Sequence, residues 1–100
     1  MIPPISDHFN KAFESKARLG IMSVLMVNEV VDFNTLKELL QLTDGNLASH
    51  IRALEELEYV LVNKQFIGKK PNTTYTASDK GKTAFNDHLN ALESFIKGNK

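Results

Sequence analysis

Residues 42–77 read LTDGNLASHIRALEELEYVLVNKQFIGKKPNTTYTA and contain two unlike pieces. Leu47, Ile51, Leu54 and Leu57 recur at spacings of four, three and three, which puts them on one face of an α-helix. Thr43 or Asp44 offers that helix a capping oxygen. The opposite face carries Gly45, Ser49, Arg52 and Glu56, with Asn46 and Ala53 on its flank and His50 at the edge of the apolar stripe. Residues 59–67 then become rich in β-branched and aromatic side chains, 68–72 have turn composition, and 73–77 supply a return strand. A polar-faced helix followed directly by a hairpin sets the frame for the rest of the chain.

Working outward, Ser6 or Asp7 caps a first short helix bearing Phe9, Ala12 and Phe13. A second helix starts near Ser15. Its Leu19, Ile21, Met22, Val24, Leu25 and Met26 are apolar almost all round, so it belongs at the centre of the fold. Residues 30–33 are extended and long enough only for an edge strand. Asn34 is expected to cap a third helix over 35–41, buried through Leu36, Leu39 and Leu40. Beyond the hairpin, Ser78 or Asp79 caps a last helix reaching about Lys97. The order is H-H-(E)-H-H-E-E-H, a mainly α chain with a small β-hairpin (α+β). Two helices joined by a tight turn, with a hairpin after the second, make a winged helix-turn-helix.

One hundred residues are expected to form a single domain, 1–100. An apolar content of 42% is too high for a disordered chain. The absence of cysteine excludes disulfides and thiolate metal sites and fits a reducing cytoplasm. Residues 1–13 lack a secretory pattern, and the longest apolar run, 21–27, is interrupted by Ser23 and too short to span a bilayer. No membrane association is therefore expected.

Formal net charge is zero, an unfavourable total for binding phosphate, but the charges are segregated. Residues 60–82 carry Lys64, Lys69, Lys70, Lys80 and Lys82 against Asp79 alone, a net +4. Residues 44–59 carry Arg52 against Asp44, Glu55, Glu56 and Glu58, a net −3.

A helix fits the DNA major groove when one face is buried and the other shows short donors and acceptors near its N-terminus. Asn46, Ser49 and Arg52 supply them here, Gly45 permits close backbone approach, and the first-turn N–H groups favour a phosphate. Alone, this pattern also describes a solvated helix face. The cationic hairpin beside it favours DNA, with Lys69 and Lys70 at a tip that reaches phosphate or minor groove. His50 serves either as a donor to DNA or as a packed imidazole at the core edge. Phe66 and Tyr75 are read as core side chains rather than base-stacking ones. Glu55, Glu56 and Glu58 form a solvated face that tilts away from phosphate.

No catalytic or cofactor pattern emerges. His8, His50 and His88 lie on separate elements without an i, i+4 partner, and neither a phosphate loop nor a nucleophile elbow occurs. The chain is expected to be no enzyme and to hold no metal. In the last helix Phe85, Leu89, Leu92 and Ile96 follow an a/d rhythm with Phe95 alongside, as in a helix that pairs with another. The same stripe also suits packing on its own domain. With Ile2, Ile5, Phe9 and Phe13 adding apolar surface at the other end, the pattern favours a homodimer whose interface includes Phe9, Phe85, Leu89, Leu92, Phe95 and Ile96.

These residues give the chain a resemblance to the compact winged-helix transcriptional regulators of the MarR and ArsR groupings, over nearly its whole length. The likeness rests on Ala17-Arg18-Leu19-Gly20-Ile21-Met22, on LTDGNLASHIRALEELEYV and on FIGKKPNTTYTASDKGKTAF. It implies that Thr43, Asn46, Ser49, His50 and Arg52 face DNA from a recognition helix over about 44–58. Lys69, Lys70, Asn72 and Thr73 would form the tip of a wing over about 66–75. It also implies homodimers on palindromic operators, joined through terminal helices. Three departures stand out: Glu58 where such proteins usually have glycine, a neutral Asn72 where a base is common, and no cysteine for metal sensing. The rival expectation is a winged-helix protein–protein interaction module without specific DNA binding.

Overall fold

Side-chain oxygens mark where the helices begin. The computed structural model describes residues 9–97. It runs from a 3-10 turn (Lys11–Glu14) through α1 (Lys16–Val27), β1 (Val31–Asp32), α2 (Phe33–Leu40) and α3 (Asp44–Glu56) to β2 (Val60–Ile67), β3 (Lys70–Ala77) and α4 (Asp79–Lys97). Ser15 Oγ accepts from Arg18 N–H (3.3 Å), Thr43 Oγ1 from Asn46 N–H (3.2 Å) and Ser78 Oγ from Gly81 N–H (2.9 Å). These caps agree with the sequence reading. The expected Ser6 or Asp7 cap lies outside the described residues, whose first helical element is a 3-10 turn capped by Asn10, with the Asn10 oxygen accepting from Ala12 N–H. One cap differs. Helix α2 is capped by Asp32 rather than Asn34, because Asp32 has the extended backbone a cap requires (φ −86°, ψ 169°) while Asn34 is already helical. Hydrogen bonds from Thr35 hold the Asp32 carboxyl below its ordinary range.

The sheet is antiparallel in the order β1-β3-β2, so the return strand of the hairpin is central. Val31 faces Tyr75 across the β1–β3 pair, and β2–β3 is in register from Val60↔Ala77 to Ile67↔Lys70. The expected five-residue turn at 68–72 is only two residues, Gly68-Lys69. Gly68 has φ 66° and Lys69 does not share the positive sign, the pattern of a type II′ turn. Pro71 thereby enters the strand. The pair nearest a two-residue turn is hydrogen-bonded and the next is not, so the Pro71 nitrogen points away from β2, beyond the end of β1. The ladder stays complete around it.

Ile21, Met22, Leu36, Leu47 and Leu54 are fully buried, and Phe13, Leu25, Ile51, Val60, Tyr75 and Phe85 complete the core around α1. Leu39, expected inside, is 60% exposed, and Leu57 emerges where α3 ends. That end is a Schellman motif: Tyr59 N–H donates to Leu54 O (2.9 Å) and Glu58 N–H to Glu55 O (2.8 Å). Its left-handed residue is Glu58, at φ 64°.

In α4 the buried row is Gly81, Phe85, His88 and Ala91, shifted from the expected stripe. The N-terminal segment explains the shift. Asn10 N–H donates to His88 Nδ1 (3.1 Å), and the rings of Phe9 and Phe13 pack on the imidazole. A histidine thus occupies a core position that the apolar pattern alone does not reveal. Phe85, expected at a dimer interface, belongs to the same core instead. Leu89, Leu92 and Ile96 lie outside on the same helix, Ile96 being 73% exposed.

Candidate nucleic-acid interface

Between α2 and α3 lies a turn of three residues, 41–43. Gln41 takes a left-handed backbone (φ 52°, ψ 48°), its N–H donates to Lys37 O, and Leu42 tucks its side chain partly inward. Helix α3 is held to α1 through Leu47, Ile51 and Leu54, which leaves Gly45, Asn46, Ser49 and Arg52 in solvent. Thr43 caps the helix through its oxygen lone pair and keeps its hydroxyl proton for an outside acceptor. Asp44 in the first turn opposes an approaching phosphate, but Lys37 neutralises it at 2.8 Å.

His50 is half-buried, with its Nδ1 3.3 Å from Arg18 Nη1. A guanidinium has only N–H donors, so Nδ1 accepts and the ring proton sits on Nε2. Arg18 Nε also donates to Ala12 O at 2.7 Å, which fixes the guanidinium between the N-terminal turn and α3. Packing through Nδ1 and donation through the Nε2–H are compatible, so both readings open from sequence stand.

The hairpin projects beside α3, and Ala48, Arg52 and Glu55 on the helix face Val62, Lys64, Thr73 and Tyr75 on the strands across one open cleft. Arg52 and Lys64 put a cation on each wall. Burial, then the Glu55 carboxylate, pushes the Tyr75 phenol above its ordinary value, so it stays protonated.

Strand alternation divides the wing residues expected to act together. Thr73 lies on the cleft side with Lys64, whereas Asn72 and Lys70 have the opposite parity and Lys69 sits in the turn. Sequence reasoning missed Lys64 and Ala48. The signal for Lys64 was present, since it stands two residues from Val62 on the same face as Tyr75. Phe66, read as core, is 74% exposed. Among the described residues no cluster of His, Asp or Glu is arranged to hold a metal, and no helix is long and apolar enough to cross a membrane.

A three-residue turn between two helices, an exposed polar face on the second and a hairpin beside it define a winged helix-turn-helix of the DNA-binding class. The chain belongs to the winged helix DNA-binding domain family, whose model matches residues 17–96. This is a family of transcription regulators, not of enzymes. An uncharacterized protein of Methanocaldococcus jannaschii is 39% identical over 79 residues, covering 79% of this chain and 86% of the relative. A transcriptional regulator homologue from Pyrococcus horikoshii has a structure similar over 94% of both chains, at 32% identity and a TM-score of 0.85. A MarR-family transcriptional regulator of Silicibacter pomeroyi shares the fold alone, with 10% identity and a TM-score of 0.65 over 96% of this chain and 69% of that one.

Proposed function

We propose that this chain, acting in the cytoplasm as one domain over 1–100, binds double-stranded DNA sequence-specifically and regulates transcription. The observation that carries the proposal is the shared cleft, whose two walls present Arg52 and Lys64 beside the free polar face of α3. In this reading α3 enters the major groove. Gly45 allows the backbone close, Asn46, Ser49 and Arg52 meet base edges, and Thr43 donates to a phosphate. His50 offers its Nε2–H from a ring oriented by Arg18. Lys64 and Thr73 line the passage of the phosphate backbone, and Lys69, Lys70 and Asn72 meet it at the tip.

Leu89, Leu92, Phe95 and Ile96, with Phe9 packed edge-on to Phe95 at 6.3 Å, form the proposed homodimer face. A two-fold dimer presents two α3 helices to successive major grooves about 34 Å apart, hence a palindromic operator. The interaction-module rival is favoured by zero net charge and by Glu55 in the cleft.

Selection from random duplex DNA followed by a salt titration separates the two readings. Enriched duplexes whose affinity falls steeply with salt support the proposal, and no enrichment ends it. On a selected duplex, Arg52→Ala is expected to cost about 1 to 3 kcal/mol per half-site with unchanged circular dichroism. Wild-type affinity in that variant would remove α3 from the groove.

A further inference from the structure

Phe66 faces solvent on a strand whose other end is core. Val60, Val62, Lys64 and Phe66 share one face of β2, and the first three of them run from the buried core to the cleft with α3. Phe66 continues that row about 13 Å beyond Val62 at the ordinary rise of a strand. Its partner across the ladder is Pro71, in a pair without hydrogen bonds, where facing side chains stand closest. Two stiff apolar groups therefore sit side by side at the end of the wing, on the side that faces the cleft. On the same face Lys64 stands two residues before Phe66, and Lys69 lies in the turn beyond it, while Ile67, 65% exposed, and its partner Lys70 occupy the opposite face of the tip.

We propose that Phe66, backed by Pro71, is an apolar wedge that enters the minor groove of duplex DNA, partly unstacks a base step and bends the bound duplex. The proposal rests on the reading of this chain as a DNA-binding protein and adds to it the residue and the action of the wing. Charge chooses the occupant. An apolar side chain flanked by Lys64 on its own face and Lys69 in the turn, with Lys70 on the reverse face, suits a partner that offers an apolar slot between two rows of anions. A minor groove has base edges as its floor and a phosphate strand along each rim. With α3 in the major groove, the tip meets the neighbouring minor groove, which is about 6 Å wide and admits a side chain but not a hairpin. Wedging a step open costs stacking energy, least at flexible pyrimidine–purine steps, so Phe66 would select sequence without hydrogen-bonding any base.

The test uses the full chain and a duplex selected with it, labelled at its two ends for energy transfer. Phe66→Ala is expected to bind about ten-fold more weakly, the effect of one aromatic–base contact, and to leave the duplex straight. Its salt dependence should match the wild type, because no charge is removed. Phe66→Leu keeps a wedge and should retain most of the bend. Lys69→Ala with Lys70→Ala should do the reverse, flattening the slope of log K against log salt by about 0.9 for each phosphate no longer neutralised while the bend persists. Introducing a G·C pair at the wedged step should weaken binding through the guanine 2-amino group, and an I·C pair should restore it.

Wild-type affinity and energy transfer in Phe66→Ala would overturn the wedge and leave DNA binding standing. A wild type that binds no duplex would bring down both. If Phe66→Ala binds DNA normally but loses association with anionic phospholipid vesicles, or changes its sedimentation equilibrium, the tip docks a membrane or a second copy and the wedge is refuted. Phe66 is exposed, so its removal leaves the core intact, and Phe66→Leu controls for any misfolding.

Discussion

The two ends of the β2–β3 hairpin have similar composition and opposite fates. At the base, Val60, Tyr75 and Ala77 are buried; at the tip, Phe66 and Ile67 stand in solvent on an equally regular ladder. Both ends of β2 are bracketed by a left-handed residue, Glu58 at φ 64° and Gly68 at φ 66°. Strand periodicity decides which face a side chain takes, whereas burial depends on whether another element covers that face. Helix α3 and β1 cover the base, and no described element covers the tip. The hairpin therefore joins a structural half to a half free to meet a partner.

The sharpest way to break that contrast is to remove one large side chain from each half. Tyr75→Ala takes a buried ring from the central strand, where it packs near Phe33 (centroids 6.5 Å apart), and should cost about 3 kcal/mol or more in urea unfolding. Ile67→Ala should change stability by no more than about 0.5 kcal/mol. A comparable loss for Ile67→Ala would mean that the tip is buried in solution and that the division is false.

Helix α4 repeats the contrast and gives the next largest effect. Its inner row, Phe85, His88 and Ala91, is core, while Leu92 is 42% exposed although it lies one residue from Ala91. Under the proposed dimer, Leu92→Asp should dissociate the protein and weaken operator binding about a hundred-fold through loss of the second site, with the monomer fold kept. Sedimentation equilibrium paired with operator titration measures both. A wild-type monomer at tens of micromolar, or full affinity in a monomeric variant, would refute the interface.

Much of this was legible in the residues. Leu47, Ile51 and Leu54 identify the α3 core face, and with it Arg52 on the other side, because helical period couples the two. The hairpin and its position after α3 were equally clear. What stayed hidden depended on coverage. His88 was invisible as core because the pattern lacks Asn10 N–H, which satisfies its Nδ1. Phe66 was misread because an aromatic in a strand is usually covered. The wing residues were grouped by sequence proximity, but the tight turn brought Lys70 and Asn72 into the strand and sent them to the face opposite Thr73.

The two left-handed residues give the smallest effect and the finest test. Gly68 adopts its φ without a Cβ penalty, whereas Glu58 does so at a cost of about 1 kcal/mol. That cost is offset because the Schellman bonds of Glu58 and Tyr59 close α3 and Ser78 Oγ donates to Glu58 O at 2.6 Å, tying the helix exit to the start of α4. The Glu58 side chain contributes little to this. Its ion pair with Lys80 is 3.9 Å long and exposed on both sides. Glu58→Gly should therefore raise stability by somewhat less than about 1 kcal/mol, since glycine also loosens the unfolded chain. Gly68→Ala should lower it by about 1 kcal/mol, because the space around Gly68 is open and only its backbone conformation objects to a side chain. A larger shift in urea midpoint for Gly68→Ala than for Glu58→Gly would show that the first position of the type II′ turn is harder on a side chain than the left-handed exit of α3. A loss of stability in Glu58→Gly would mean instead that the carboxylate, not the backbone, secures the exit of α3.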